Sequence, residues 1–208
     1  MSDSSVKAPQ ARSRSPMQER SQQRVAAAIE AAERMIEARG PEETSIPEIA
    51  KESGVPRASL YQFFPTKYVL FAHLAERHLE QVNLRVRAAA EKSGPLPWRE
   101  LIVLLVNAAA DYYDATPVAS QLILGGPMSR SAYLAQEVTI ENIGHAVRAL
   151  MKTSPDRITL PKLPDAATLC VEIAFTCMKY GYYREGRLSK ATRREAVRAT
   201  TAYLGTFA

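Results

Sequence analysis

The chain has 208 residues, carries 27 Lys and Arg against 22 Asp and Glu for a formal charge of +5, and is 46% apolar. That length and apolar content supply core for one large domain or two small ones and exclude a wholly disordered chain. The sequence has no apolar run of bilayer-spanning length, and its Ser-, Pro-, Gln- and Arg-containing start does not read as a secretory leader, so the expectation is a cytoplasmic protein with no membrane partner.

Residues 1–18 read as a disordered basic arm, because they lack periodicity and are rich in Ser, Pro and Arg. Lys7, Arg12, Arg14 and Arg20 either reach a minor groove or phosphates, or form a solvated tail. The first helix is expected from about Gln18 to Arg39, with Val25, Ala28, Ile29, Ala32, Met35 and Ile36 at helical spacing and Gly40-Pro41 ending it.

Residues 44–67 carry the most information. Ser45 and Glu48 have capping-box spacing, and Pro47 sits in the first turn of the second helix, where its missing N–H costs nothing. Ile49 and Ala50 supply a buried face, and Gly54 can take positive φ just past the helix end. Val55 anchors the turn, and a third short helix runs from Arg57 to about Phe63. Two short amphipathic helices joined by a Gly turn form a helix-turn-helix pattern. The first turn of its second helix faces base edges. Arg57 is the candidate for bidentate pairing with guanine, Ala58 allows close approach, and Ser59 and Gln62 are further readers. Leu60 and Phe64 are expected in the core.

A fourth helix follows from about Lys67 to Lys92, and Ser93-Gly94-Pro95 breaks it. Helices are then expected from Pro97 to Ala115, Pro117 to about Leu124, Ser129 to Lys152, Asp165 to Arg184 and Lys190 to Thr206, the last capped by Ser189. Ser154 to Pro164 is a Pro-punctuated loop. The expected architecture is all-α, with about nine helices. Cys170 and Cys177 lie about 10 Å apart along one helix, too far to bridge within the chain, and read as small buried hydrophobes, with a redox switch or a disulfide across a dimer as the lesser alternative. The three histidines are scattered without metal-ligand spacing, so neither metal nor cofactor is expected.

The run from Arg24–Ala38 through Gly40, Thr44-Ser45-Ile46, Ile49-Ala50, Ser53-Gly54-Val55, Leu60-Tyr61, Phe64, Lys67 and Leu70 resembles the TetR family of bacterial transcriptional regulators. It covers the first third of the chain. The remainder matches in length and helical character without a family motif. The resemblance implies an N-terminal helix-turn-helix DNA-binding domain (residues 19–66) followed by an effector-binding and dimerisation domain (67–208), with the fourth helix bridging them. It also implies phosphate contacts from Ser45, Tyr61 and Lys67. Phe63 departs from the family, in which a side chain able to hydrogen-bond a phosphate is frequent at that position.

The same resemblance implies a small-molecule pocket in the C-terminal helices. Its candidate residues are Asn107, Asp111, Tyr112, Gln121, Met128, His145, Glu172, Phe175 and Thr176, with Tyr113 and Glu141 beside them. A carboxylate at Glu172, inside an apolar helix, needs a partner, whether an effector, Arg148 or a second subunit. The helix carrying it is apolar almost all round and needs cover on both sides. Val171, Met178 and Tyr182, with Val197, Tyr203 and Leu204 of the last helix, are therefore the candidate dimer interface. The resemblance implies the same four-helix contact.

The function expected is a homodimeric, ligand-responsive repressor bound to a palindromic double-stranded operator. An activator or an effector-independent regulator is the alternative of the same fold. An all-α enzyme would rest on Asp111 and Glu172 alone as an acid–base pair, and no catalytic residue is assigned.

Overall fold

The structure, a computed structural model, describes residues 16–126 and 129–208, with side-chain burial from residue 19. Helix α1 is Pro16–Arg39, α2 Ile46–Ser53, α3 Arg57–Phe63, α4 Lys67–Ser93 and α5 Trp98–Ala115. Then come α6 (Pro117–Ala119), running into a π-helical turn at Ser120–Leu124, α7 (Arg130–Thr153), α8 (Ala166–Glu185) and α9 (Lys190–Gly205). The described residues are all-helical, as the periodicity predicts. Among them, no helix is long and apolar enough to cross a membrane.

Helix starts follow local chemistry. Thr66, Ser129 and Ser189 accept from the N–H groups of Val69, Ala132 and Thr192, and Asp165 accepts from Ala167 and Thr168. Two boundaries differ from expectation. Helix α1 begins at Pro16, so residues 16–18 are helical rather than part of the arm, while Lys7, Arg12 and Arg14 lie outside the described residues. The expected helix at 117–124 turns from α to π because Gly125 N–H reaches back to Ser120 O (2.9 Å). A Cβ on Gly125 would lie 2.4 Å from Gln121 O, so this closure requires glycine.

Helices α1–α3 form a head whose core is Ile36, Ile49 and Leu60, packed against Leu70, Phe71 and Leu74 on the first half of α4. Helix α4 also packs on α5 and α7, which with α8 and α9 form the body. One buried apolar cluster runs through both, so α4 is a shared strut. The 154–165 loop is tied down by side chains. Asp156 accepts from Trp98 N–H (2.8 Å), capping α5 from 58 residues away, and Ser154 donates to Leu96 O (2.7 Å). Arg148 donates to Leu160 O (2.6 Å), Pro161 O (2.7 Å) and Asp165 Oδ1 (2.5 Å). Arg148 is therefore the partner of Asp165, not of Glu172.

Candidate nucleic-acid interface

In the head, Gly54 at φ +68° turns the chain out of α2, and buried Val55 and Leu60 fix how α3 lies on α1 and α2. With Leu60 inward, Arg57, Ala58, Tyr61 and Gln62 are exposed on one side of α3, and Ser59 is half-buried at its edge. Arg57 lies along Tyr61, one turn on, with its guanidinium 5.5 Å from the ring centroid and 3.4 Å from the hydroxyl. An exposed cation–π contact contributes about 0.5–1 kcal/mol, less than the roughly 1–3 kcal/mol of a bidentate base contact, so Arg57 can leave Tyr61 for a guanine.

Ser45 has the extended backbone of an N-cap, but the expected capping box is only partly made. Its hydroxyl donates to Glu48 Oε2 (2.5 Å) instead of accepting from a backbone N–H. That hydrogen bond, assisted by Arg39 at 2.9 Å, holds the Glu48 carboxyl below its usual range. The first turn of α2 consequently has no side-chain cap, and free N–H groups at a helix start can take an anion.

Lys67 is half-buried, and its ammonium donates to Pro41 O (3.2 Å) and Glu42 O (2.8 Å), pinning the α1–α2 turn to the start of α4. An ammonium has three donors, so one remains for a phosphate. Lys67→Met, which keeps the stem, is expected to lower stability by about 1–2 kcal/mol and to flatten the salt dependence of DNA binding by about one ion. Thermal melts and anisotropy titrations over a salt series measure both. An unchanged salt slope excludes the phosphate contact.

Arg24, which sequence reasoning did not single out, donates to Ser59 Oγ (3.3 Å), joining α1 to the first turn of α3. The two residues are 35 positions apart, beyond any local spacing rule. Phe63, at the departure from the family pattern, is half-buried against the core.

Where head meets body, His78 of α4 stands between α1 and α5. Its Nδ1 lies 2.7 Å from the Tyr112 hydroxyl, and Glu33 Oε1 lies 3.5 Å from Nε2, which has no hydrogen-bond partner among the described residues. Burial, reinforced by the Arg77 guanidinium, pulls the imidazole down to about 4. The unfolded chain takes up this proton near pH 6.5 and the folded one only near 4, so stability is full above 6.5 and declines through that window. Between pH 7 and 4.5 the wild type should lose about 2 kcal/mol more than His78→Gln, discounted for partial exposure. Urea melts at the two pH values check this, and parallel pH dependences would remove His78 as the cause.

A partly open cavity of about 80 Å³ lies between α4, α5, α7, α8 and α9 of the body, with Leu79, Val82, Ile140, Phe175 and Met178 in its wall. Of the expected pocket residues, Phe175 lines it. Asn107 instead donates to Val103 O (2.8 Å) and faces an open α5–α9 groove, and Asp111 holds Arg193. Tyr112 is committed to His78, Gln121 is half-buried outside the cavity wall, and Glu141, His145 and Thr176 are exposed. Met128 lies outside the described residues. Glu172 is half-buried, its carboxyl pushed up by burial and by Glu137, with Lys179 opposing. Asp111 pairs with Arg193 of α9, whereas the charges acting on Glu172 are those of Glu137 and Lys179. Tyr113, also expected near the pocket, lines the cavity as well; the rest of the wall is mostly apolar residues that look like ordinary core in sequence.

The dimer candidates also divide. Leu204 is fully buried within its own chain by α5 and α8, and Val171 and Met178 line the cavity, so all three turn inward. Tyr182, Val197 and Tyr203 are half-buried, with Tyr203 edge-on to Phe207 at 5.5 Å. The outward apolar residues of α8 are Leu169, Tyr180 and Tyr183, at 39%, 67% and 83% exposure, spaced along one face of the helix. Both cysteines are free; Cys170 is buried as a small hydrophobe, whereas Cys177, expected to be buried too, is half-buried. Among the described residues, no cluster of His, Cys, Asp and Glu could hold a metal ion.

Residues 28–74 match the sequence model for bacterial regulatory proteins of the tetR family. A 110-residue stretch, 52% of this chain, is 28% identical to an uncharacterised HTH-type transcriptional regulator, YxaF, of Bacillus subtilis, and spans 56% of that relative's length. The fold is similar to a TetR-family transcriptional regulator from Streptomyces coelicolor (TM-score 0.68, 20% identity, covering 89% of this chain and 99% of that one). It is also similar to RolR crystallised with resorcinol (TM-score 0.65, 16% identity, covering 91% and 90%).

Proposed function

We propose that this chain, which belongs to the TetR family of bacterial regulatory proteins, is a cytoplasmic homodimeric repressor that occludes a palindromic operator and releases it on binding a small molecule. The observation that carries the DNA-binding part is the first turn of α3. Arg57, Ala58 and Gln62 stand exposed on a helix whose inward side is locked by Leu60, so placement rather than overall charge selects bases. The N-terminus of α2 at Ser45, the Tyr61 hydroxyl and the third donor of Lys67 would hold phosphates and set register. Ser59 would act through Arg24, its hydrogen-bond partner.

One such helix reads only a few base pairs, so useful specificity needs a second head about 34–36 Å away on the same face of the duplex. The exposed Leu169, Tyr180 and Tyr183 face of α8 supports pairing through that helix. Ligand response is supported by the body cavity, which shares a wall with α4, and by the fold likeness to RolR, a protein crystallised with resorcinol.

The test is selection of random duplex DNA on the purified protein, followed by sequencing of the retained pool. A two-fold-symmetric motif is the expected result. A pool without enrichment at low salt would sink the operator reading.

A further inference from the structure

We infer that the occupant of the body cavity is a neutral, predominantly apolar molecule. This rests on the ligand-responsive reading above and deepens it. The described residues of the wall include no Lys, Arg, His, Asp or Glu. Its polar members are Tyr113, Gln136, Thr139 and Thr200. The two threonine hydroxyls are committed to their own helices, Thr139 to Ala135 O (3.0 Å) and Thr200 to Ala196 O (2.7 Å). That leaves the Tyr113 phenol and the Gln136 amide, on side chains 3% and 6% exposed, as the hydrogen-bond donors the wall can offer an occupant, with the threonine oxygens as acceptors only. Burial pushes the Cys170 thiol up to about 12, so it stays uncharged as well.

An ionised occupant would enter this wall without a counter-charge, and the desolvation penalty of an unpaired charge exceeds any dispersion gain. A neutral molecule loses little and gains apolar contact. A void of about 80 Å³ is smaller than the roughly 150 Å³ that holds benzene in an engineered apolar cavity, so an aromatic or short-chain guest must displace a wall. Leu79, Val82 and Val86 of that wall belong to α4, whose other half is packed into the head.

Matched probes test this on the full-length protein: benzene, phenol and 1-hexanol against benzoate, hexanoate and hexylammonium. Thermal melting and operator release are read in parallel. The neutral probes are expected to raise Tm by several degrees at concentrations where the charged ones leave it unchanged. Phenol should exceed benzene in wild type, and that advantage should vanish in Gln136→Leu or Tyr113→Phe. Filling the cavity with Ala174→Leu should abolish the neutral response. The wild-type comparison stands alone if that variant fails to fold. Charged probes stabilising as much as neutral ones, no stabilisation by any neutral probe, or an undiminished response in a folded Ala174→Leu protein would each overturn the inference. Stabilisation by neutral probes without operator release keeps the neutral site and removes the ligand-responsive reading instead.

Discussion

Arg57→Ala is expected to weaken binding to the selected site by about 10- to 100-fold, the value of a lost bidentate guanine contact, while leaving the melting temperature unchanged. The two halves of this expectation have separate causes. Arg57 is exposed, and its partner among the described residues is Tyr61, itself exposed, so removing it opens no cavity and strands no buried group. Its guanidinium projects from the first turn of α3, the turn that enters the major groove in helix-turn-helix proteins. Arg57→Lys keeps the charge but not the fork, so it should restore the salt dependence and not the discrimination. Anisotropy at fixed salt, on the selected duplex and on one with 7-deazaguanine at the central purine, reads the contact directly. The modified base should cost wild type most of its preference and cost Arg57→Ala almost nothing. Equal affinity of wild type and Arg57→Ala for the selected duplex removes Arg57 as a base reader.

The second large effect lies far from the head. Arg148→Ala is expected to destabilise the fold by about 3 kcal/mol, which for a chain of this size lowers Tm by about 6–12 °C. The Arg148 side chain is 13% exposed and gathers two loop carbonyls and the Asp165 carboxylate. Its loss leaves all three acceptors short of a donor. Burial alone would raise the Asp165 carboxyl, but the Arg148 hydrogen bond and the Thr168 and Ala167 N–H groups outweigh it and hold it below the usual range. Without Arg148, a partly desolvated charge remains at the start of α8, and the 154–165 loop loses its clamp. Arg148→Lys should recover only part of the loss, since a point charge cannot serve three acceptors spread around a planar fork. Affinity for operator per folded molecule should be unchanged. A melting temperature within a degree of wild type would show that the clamp contributes nothing.

The helices and the head were legible because their causes are local. Ile49, Leu60 and Phe64 are buried where the apolar periodicity puts them, Gly54 takes the positive φ that its turn requires, and Ser189 caps α9. Each of these depends on residues within a few positions of one another, so the sequence by itself determined an all-α chain with an N-terminal helix-turn-helix and an outward-facing Arg57. Tertiary structure decided everything that depends on which neighbour covers a face. Periodicity marks a side of a helix as apolar without saying whether its cover is another helix, a second subunit or a void. Leu204 and Met178 therefore look the same in sequence as Tyr180 and Leu169, yet the first pair is sealed inside the chain and the second faces outward. Polar pairings are undetermined for the same reason. Arg148 chooses Asp165 over Glu172, Lys67 reaches the turn after α1, and Arg24 finds Ser59 because folding brings distant segments within 3.5 Å, a distance that no spacing along the chain encodes.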